Sequence, residues 1–378
     1  MSARKGITLE ETNKNGQAGG PLAGYRVIEL AGLGPAPLAG MMFADLGAEV
    51  VLVDRKAGKH AVPECTLRGK RSIVLNLKDP ADIERLLNLI EKADVLIEGF
   101  RPGVAERLGF GPDEALKRNP KMVFGRMTGW GQSGPLAHSA GHDINYISLT
   151  GALHGVGHAG ERPTPPLNLV GDYGGGTMFL VSGVLAALLE AQRSGQGQVV
   201  DAAMTDGSAV LMAMFHSMHA QGHWQPVRGA NLLDSGAPFY DTYETADGEY
   251  MSVGPLEPQF FAELIDKLGL DPGYAARQYD PTAWAQLRTD IGKAFKTRSR
   301  DEWRTVFEGS DACVAPVLNF LEAAAHPHNA ARQTYVDVDG MTQPAPAPRF
   351  SRTPTAVRFG SRPAGADTEA VLADWGIE

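Results

Sequence analysis

Cysteine is almost missing from this chain of 378 residues: Cys65 and Cys313 are the only two. Two thiols so far apart make neither a disulfide framework nor a thiolate metal site, and they suit a reducing compartment. No apolar run approaches the roughly 18 residues that a membrane span needs. The opening stretch MSARKGITLEETNKNGQAGG has no apolar core of the signal-peptide kind and reads as a polar, glycine-rich tail. The last residues, Gly376-Ile377-Glu378, carry no Ser-Lys-Leu address. A basic excess is missing too: the formal net charge is −9, which argues against nucleic acid while leaving local basic pockets open to phosphate. These absences point to a cytoplasmic protein with neither a membrane nor a nucleic acid as partner. The length suggests two domains.

Within that frame, one stretch carries the most chemistry, AGHDINYISLTGALHGVGHAGERPTPPLNLVGDYGGG, residues 140–176. His142 stands near its start and Asp172 near its end, each preceded by glycine. The run Gly174-Gly175-Gly176 leads into an apolar helical pattern over residues 177–193. Glycines let backbone N–H groups approach a ligand, and a helix N-terminus favours negative charge. A histidine, a carboxylate and an anion site are what proton abstraction beside a carbonyl requires. Spacing alone does not show that the two side chains meet.

Before this stretch, strand patterns at 25–30, 49–54, 72–77, 94–98 and 122–127 alternate with helical ones at 38–46 and 82–92. That alternation predicts a parallel α/β sheet, with ligands at the carboxyl ends of its strands. Gly32-x-Gly34 followed by Asp54 invites a dinucleotide reading, but Pro37 replaces the third glycine and Pro35 removes a donor. Arg68-Gly69-Lys70-Arg71 is either a solvated loop or a pocket for a phosphorylated ligand. Residues 198–202 read as a buried strand. Thr205 or Asp206 then caps a helix with Val210, Leu211, Met214 and Met218 on one face. Its methionines are either core or an adaptable apolar surface. His216, His219 and His223 have helical spacing but no carboxylate or cysteine joins them, so no metal site is expected. After residue 231 the pattern changes. A hairpin over 239–253 turns at Ala246-Asp247-Gly248, and helices follow near 260–268, 282–296 and 300–308. Residues 327–364, rich in proline and arginine, read as a return linker before a last helix capped by Asp367 or Thr368.

Several of these segments resemble one family closely: GHDINYISLTG (141–151), PPLNLVGDYGGG (165–176), GQVVDAAM (197–204), RGANLLDSGAPFYDTYETADGEY (228–250) and EPQF (257–260). They are similar to the α-methylacyl-CoA racemases of the family III CoA-transferase superfamily, and the resemblance runs from about residue 21 to residue 375. It implies an α/β fold with a Rossmann-like large domain, an inserted small α+β domain and an interlocked homodimer. The corresponding division is a flexible tail (1–20), the first part of the large CoA-binding domain (21–204), a linker helix (205–238), the small domain (239–330), a return linker (331–347) and the C-terminal part of the large domain (348–378).

The resemblance also implies roles. His142 matches the family's base, Asp172 its acid partner and Glu257 the group that holds the histidine. CoA-contacting positions map onto Arg55, onto Leu75, Asn76, Leu77 and Lys78, and onto the backbone of Gly141, His142, Asp143, Ile144, Asn145 and Tyr146. The basic patch at 68–71 then joins the CoA surroundings. Met204, Met212, Met214 and Met218 map onto a methionine-rich surface for the acyl chain. The implied reaction interconverts (2R)- and (2S)-2-methylacyl-CoA thioesters through an enolate, with His142 serving the (2S) proton and Asp172 the (2R) proton. It needs no metal or other cofactor, because CoA is part of the substrate. The rival reading is a CoA-transferase with Asp172 as nucleophile. His142 speaks against that rival, since transferase relatives generally lack a histidine there.

Overall fold

The structure is a computed structural model that describes residues 19–56 and 64–377. Apart from Gly19 and Gly20, the expected N-terminal tail lies outside them. From β1 (Arg26–Leu30) the chain runs through α1 (Pro35–Asp45), β2 (Glu49–Asp54), β3 (Lys70–Val74), α2 (Pro80–Ile90), β4 (Val95–Glu98), α3 (Val104–Leu108), α4 (Pro112–Arg118) and β5 (Val123–Thr128). Next come α5 (Asp143–Ser148), the single turn α6 (Ala152–Gly155), a π-helical segment (Leu169–Thr177), α7 (Met178–Ser194), β6 (Val199–Ala203), α8 (Met204–Leu211) and α9 (Ala213–Ala220). The remainder holds β7 (Asp241–Glu244), β8 (Tyr250–Val253), α10 (Pro258–Lys267), α11 (Pro281–Phe295), α12 (Arg300–Phe307), β9 (Val314–Pro316), α13 (Phe320–Ala325), α14 (Pro327–Ala331), β10 (Tyr335–Val338), β11 (Met341–Pro344) and α15 (Thr368–Trp375).

The contacts divide the chain into two compact units. One comprises the described residues within 1–150, 167–211 and 327–378, the other residues 151–166 and 212–326. The first is built on a six-stranded sheet in the order β3-β2-β1-β4-β5-β6, every pairing parallel. Its inner strands β1, β2, β4 and β5 are buried on both faces, as a sheet covered by helices on both sides requires. By contrast β6, expected to be buried, is exposed at Val199 and Asp201 because it lies at the sheet's edge. Val27, Val50, Val95, Ile97 and Val123 face a core shared with α1 and α7. Ile28, Val51, Val53, Leu96 and Phe124 face a second core shared with α2 and α15. The strand order reverses between β1 and β4, where doubly wound sheets open a ligand crevice at the carboxyl ends.

Charged residues explain where sequence and structure differ here. β3 begins at Lys70, two residues before the expected strand, because Lys70 is buried in the sheet. Its ammonium lies 2.5 Å from Glu29 of β1 and donates to the Pro37 carbonyl at 2.8 Å. Arg68, equally buried, grips Asp45 with both its Nε and Nη2 (3.1 and 2.6 Å) and donates to Gln343 and the Pro344 carbonyl (2.9 and 2.6 Å). Arg71 pairs with Glu49 and Asp374, each at 2.8 Å. The basic patch is therefore spent on internal pairs that fasten the sheet, and the expectation that it surrounds CoA is corrected.

β3 is one of the two edge strands, and the C-terminal segment covers it. The Ser72 N–H donates to the Asp367 carboxylate (3.0 Å), the Asp367 N–H to the Ser72 carbonyl (2.9 Å), and the Val74 N–H to the Thr368 hydroxyl (3.2 Å). The Pro/Arg-rich stretch before it holds the antiparallel hairpin β10–β11, which the sequence reading took for linker.

The second unit has a three-stranded antiparallel sheet, β7-β8-β9, packed with α10, α11 and α12 around Phe239, Phe261, Phe295 and Trp303. The expected hairpin and its D-G turn are present; β9 closes the sheet and was not foreseen. Arg228 donates to the carbonyls of His154 (2.9 Å), His158 (3.3 Å) and Glu161, which binds segment 151–166 to this unit.

Candidate active site

The loops that leave the carboxyl ends of the sheet bring His142 and Asp172 together. His142 is the exposed N-cap of α5, in extended conformation. Its N–H donates to the Asn145 side chain at 3.1 Å, while its carbonyl receives the N–H groups of Asn145 and Tyr146 at 2.8 and 3.2 Å. The start of the helix thus fixes the histidine backbone and leaves the ring at the surface. Tyr146 packs edge-on against Trp130, 4.8 Å between centroids, and its hydroxyl donates to the Gly141 carbonyl. Gly141 must be glycine, because a Cβ there would lie 2.8 Å from the Tyr146 ring.

Asp172 sits within the π-helical segment, a rare backbone form that recurs at functional sites. Its Oδ2 accepts from Asn168 Nδ2 at 3.1 Å. The same oxygen lies 3.2 Å from where a Gly34 side chain would begin, so the loop after β1 approaches the carboxyl closely. Thr177 Oγ1 donates to the Pro35 carbonyl at 2.8 Å and ties the segment to the first turn of α1. Asp172 therefore stands beside β1, at the crevice where the strand order reverses. Burial pushes its carboxyl above the ordinary range, and the neighbouring Asp143 adds to this. Asn168 and His142 pull the other way without cancelling it. The result is a half-buried acid that holds its proton more tightly than a surface aspartate, within electrostatic reach of a histidine.

Two expectations about anion binding change. The helix does not start at Thr177. Helical backbone begins at Leu169, so the amides of Gly174, Gly175 and Gly176 lie inside a helical run rather than at a free N-terminus. The Asp172 N–H is also occupied, donating to Asp143 Oδ2 at 2.7 Å. What remains is the start of α5, where the Asp143 and Ile144 amides precede those of Asn145 and Tyr146, which donate to the His142 carbonyl. The π segment and α7 also make a 26-residue helical run, Leu169–Ser194, apolar enough by length and composition to cross a membrane. That is longer than the sequence reading allowed. Half of its most apolar window is buried, with Leu180, Val181 and Val184 in the sheet's core.

The positions mapped to CoA spread along the same edge of the sheet. Arg55 is exposed just after β2. After β3, Leu75 is buried in the core, Asn76 and Lys78 are exposed, and the Asn76 N–H donates to Asp82 at 2.8 Å. In segment 141–146, Ile144 and Asn145 are exposed, while Asp143 and Tyr146 are buried. Met204 is buried in the first unit's core rather than on an open surface. Met212, Met214 and Met218 belong to the second unit, and Met214 is exposed. The single helix expected after Asp206 is two, α8 and α9, broken at Met212. Glu257, the exposed N-cap of α10, follows a backbone pinned by Gln278, whose amide donates to the Pro255 and Leu256 carbonyls at 2.9 and 3.1 Å.

Asn168 was missed from sequence. Its signal was the four-residue spacing to Asp172, which has meaning only if residues 168–172 are helical, and three glycines nearby argued otherwise.

A doubly wound sheet whose ligand edge carries a surface histidine and a proton-retaining aspartate is the framework of an α/β enzyme that handles protons or acyl groups. The family follows from the sequence itself: this chain belongs to CoA-transferase family III, whose model matches residues 22–368. It is 45% identical over 360 residues to a mouse (Mus musculus) protein named alpha-methylacyl-CoA racemase, covering 94% of this chain and 93% of that one. It is 42% identical to the human (Homo sapiens) protein of the same name, covering 94% of each. Among solved structures, Rv3272 of Mycobacterium tuberculosis superposes with a TM-score of 0.77 at 26% identity, over 93% of this chain and 99% of that one.

Proposed function

We propose that this protein is an isomerase that interconverts (2R)- and (2S)-2-methylacyl-CoA thioesters by 1,1-proton transfer, with His142 and Asp172 as the acid–base pair. The observation that carries the reading is the Asp172 carboxyl, raised by burial and set within electrostatic reach of His142. The racemase names of relatives at 45% and 42% identity support it.

The α-proton of a thioester is weakly acidic, and its removal places charge on the thioester oxygen. Donors prearranged at that oxygen usually supply the largest catalytic term. The Asp143 and Ile144 amides at the start of α5, next to His142, are the donors we assign to it. One group of the pair takes the proton from one face and the other returns a proton to the opposite face. Histidine suits this because its ordinary pKa, about 6.5, lies near working pH. Asp172 must be a neutral acid in one direction, and a raised pKa favours that form.

The thioester would lie along the carboxyl edge of the sheet. From β3 to β5 that edge spans four strand spacings, roughly 19 Å, room for an elongated ligand. Arg55 and Lys78 would meet its CoA part at one end and Asp172 its α-carbon toward the other. We further propose that Glu257 orients His142, that Met212, Met214 and Met218 receive the acyl chain, and that the enzyme works as a homodimer in the cytoplasm. The chemistry calls for no metal or redox cofactor.

The deciding experiment incubates the protein with (2R)-2-methylacyl-CoA in heavy water and follows the α-proton by NMR. Epimerisation with deuterium uptake is expected. Transfer of CoA to an added free acid without exchange would instead support the CoA-transferase reading, in which Asp172 is the nucleophile.

A further inference from the structure

We propose that the side chain of Asp143 is a positioning residue for Asp172: it fixes the Asp172 backbone and sets a second negative charge beside the carboxyl that handles the α-proton. The proposal rests on the functional reading above for the role of Asp172, and on four observations for the role of Asp143.

Asp143 is 6% exposed. Its Oδ2 accepts the Asp172 N–H at 2.7 Å. Room for that contact exists only because residue 171 is glycine, since a Cβ there would lie 2.5 Å from the same oxygen. The other oxygen, Oδ1, is buried and has no hydrogen-bond partner among the described residues. A buried carboxylate with one oxygen unsatisfied is costly, because water would have satisfied both. Holding one backbone N–H does not require that cost; a neutral acceptor would do it. What a neutral acceptor cannot supply is charge. Two carboxyl groups this close resist ionising together, and Asp143, whose Oδ2 already accepts a backbone N–H, adds to the upward push on the Asp172 carboxyl.

The groups around Asp172 make the effect specific. From α5, Asp143 favours the protonated acid and His142 opposes it. Asn168, one turn earlier, also opposes it. Tyr146 of α5 responds to Asp172 and Asp143 in turn, its hydroxyl raised by burial first and then by both carboxylates, with Arg101 pulling it down. From α1 the close neighbours are Gly34 and the Pro35 carbonyl, and from α8 Ser208 packs at Gly175; neither helix brings a charge to these contacts. Asp143 is thus the negative charge that acts on Asp172. It gains and loses no proton in the reaction; the α-proton passes only between substrate, His142 and Asp172.

The test replaces charge and keeps shape. In Asp143→Asn, an amide oxygen can still accept the Asp172 N–H. The Asp172 carboxyl is followed by 13C NMR titration of the folded, substrate-free protein, its signal assigned by its loss in Asp172→Asn. The midpoint is expected to fall by about one pH unit, the scale of a close like charge. The acid limb of kcat/KM should fall with it in both directions of epimerisation, because the equilibrium between epimers is fixed by the substrates. Gly171→Ala, which pushes the Asp143 carboxylate aside, should move the midpoint the same way and decides the matter if Asp143→Asn does not fold. A midpoint unchanged from wild type in the folded variant overturns the proposal, since a merely structural aspartate would leave it there. A shifted midpoint in a protein that exchanges no α-proton upholds the coupling and sinks the racemase reading alone.

Discussion

Removing Lys70 should destabilise the protein in a way that depends on pH with a definite sign. Glu29 and Lys70 are 0% and 1% exposed and 2.5 Å apart, so each is the other's chief compensation for burial. Burial pushes the Glu29 carboxyl up to about 7 even with Lys70 beside it, and pushes the Lys70 ammonium down. α1 seals the pair: a side chain at Gly40 would overlap the Glu29 carboxylate. Lys70→Met keeps the aliphatic stem and leaves Glu29 buried without its partner. Breaking a buried pair from one side costs about 3–5 kcal/mol. At roughly 2–4 °C per kcal/mol, Tm should fall by about 6–20 °C at pH 8. A carboxyl whose folded-state pKa is raised binds its proton more tightly in the native state than in the unfolded one. Stability therefore falls as pH rises between the unfolded value, near 4.5, and the raised folded value. Wild type and variant share that slope below about 7, and the variant, without Lys70 to hold the carboxyl down, carries it to higher pH. The deficit should accordingly shrink as pH falls from 8 toward 7, by up to about 1.4 kcal/mol per pH unit, and stay level below that. Adding Glu29→Gln should recover much of the loss at pH 8, because no stranded charge then remains. Thermal unfolding followed by circular dichroism at pH 5.5 and pH 8 reads all three. A Lys70→Met Tm within about 2 °C of wild type at pH 8, or a deficit equal at both pH values, would refute the reasoning.

Two further outcomes follow from the site. Asn168→Ala removes a hydrogen bond that favours the charged form of Asp172. The acid limb of the pH–rate profile should move up, opposite to Asp143→Asn, and kcat should fall by more than KM rises; a downward shift would contradict the assigned geometry. Replacing Met212, Met214 and Met218 by leucine should narrow the range of accepted acyl tails more than it lowers the best rate, because thioethers repack more readily. Competition between branched fatty acyl and steroid side-chain thioesters measures this, and an unchanged range counts against a methionine surface.

The strand pattern was legible because the inner strands are buried on both faces and the β-branched runs are bounded by turns: β2 was placed to the residue, and β1, β4, β5 and β6 within one, though β6 is more exposed than its apolar run suggested. What misled was charge and glycine. Lys70 read as loop because a lysine in a strand is uncommon, and only the distant Glu29 makes it tolerable there. Gly174, Gly175 and Gly176 read as a loop before a helix, yet they sit within helical backbone where α8 packs too closely for side chains; Ser208 would lie 2.4 Å from a Cβ at Gly175. His142 and Asp172 were found by residue type and motif. Asp143 and Asn168, which hold Asp172, were invisible as such because their roles depend on register in a π-helical segment, whose period no pattern of apolar residues announced.

The cover over β3 has a consequence for how the protein is made. A chain still on the ribosome has all six strands of the sheet once β6 has emerged. The residues that shield the outer strand, Asp367 and Thr368, come much later, as do the acceptors Gln343 and Pro344 that Arg68 needs. At roughly 5–20 residues per second, the ~160 residues between β6 and Asp367 leave that edge open for about 10–30 s. During this interval a nascent chain offers unpaired backbone to any neighbour on the same message. The sheet's edge is thus a hazard of synthesis that the finished protein no longer shows. Chains cut short before residue 367 should accumulate in aggregates even though every strand of the sheet is present.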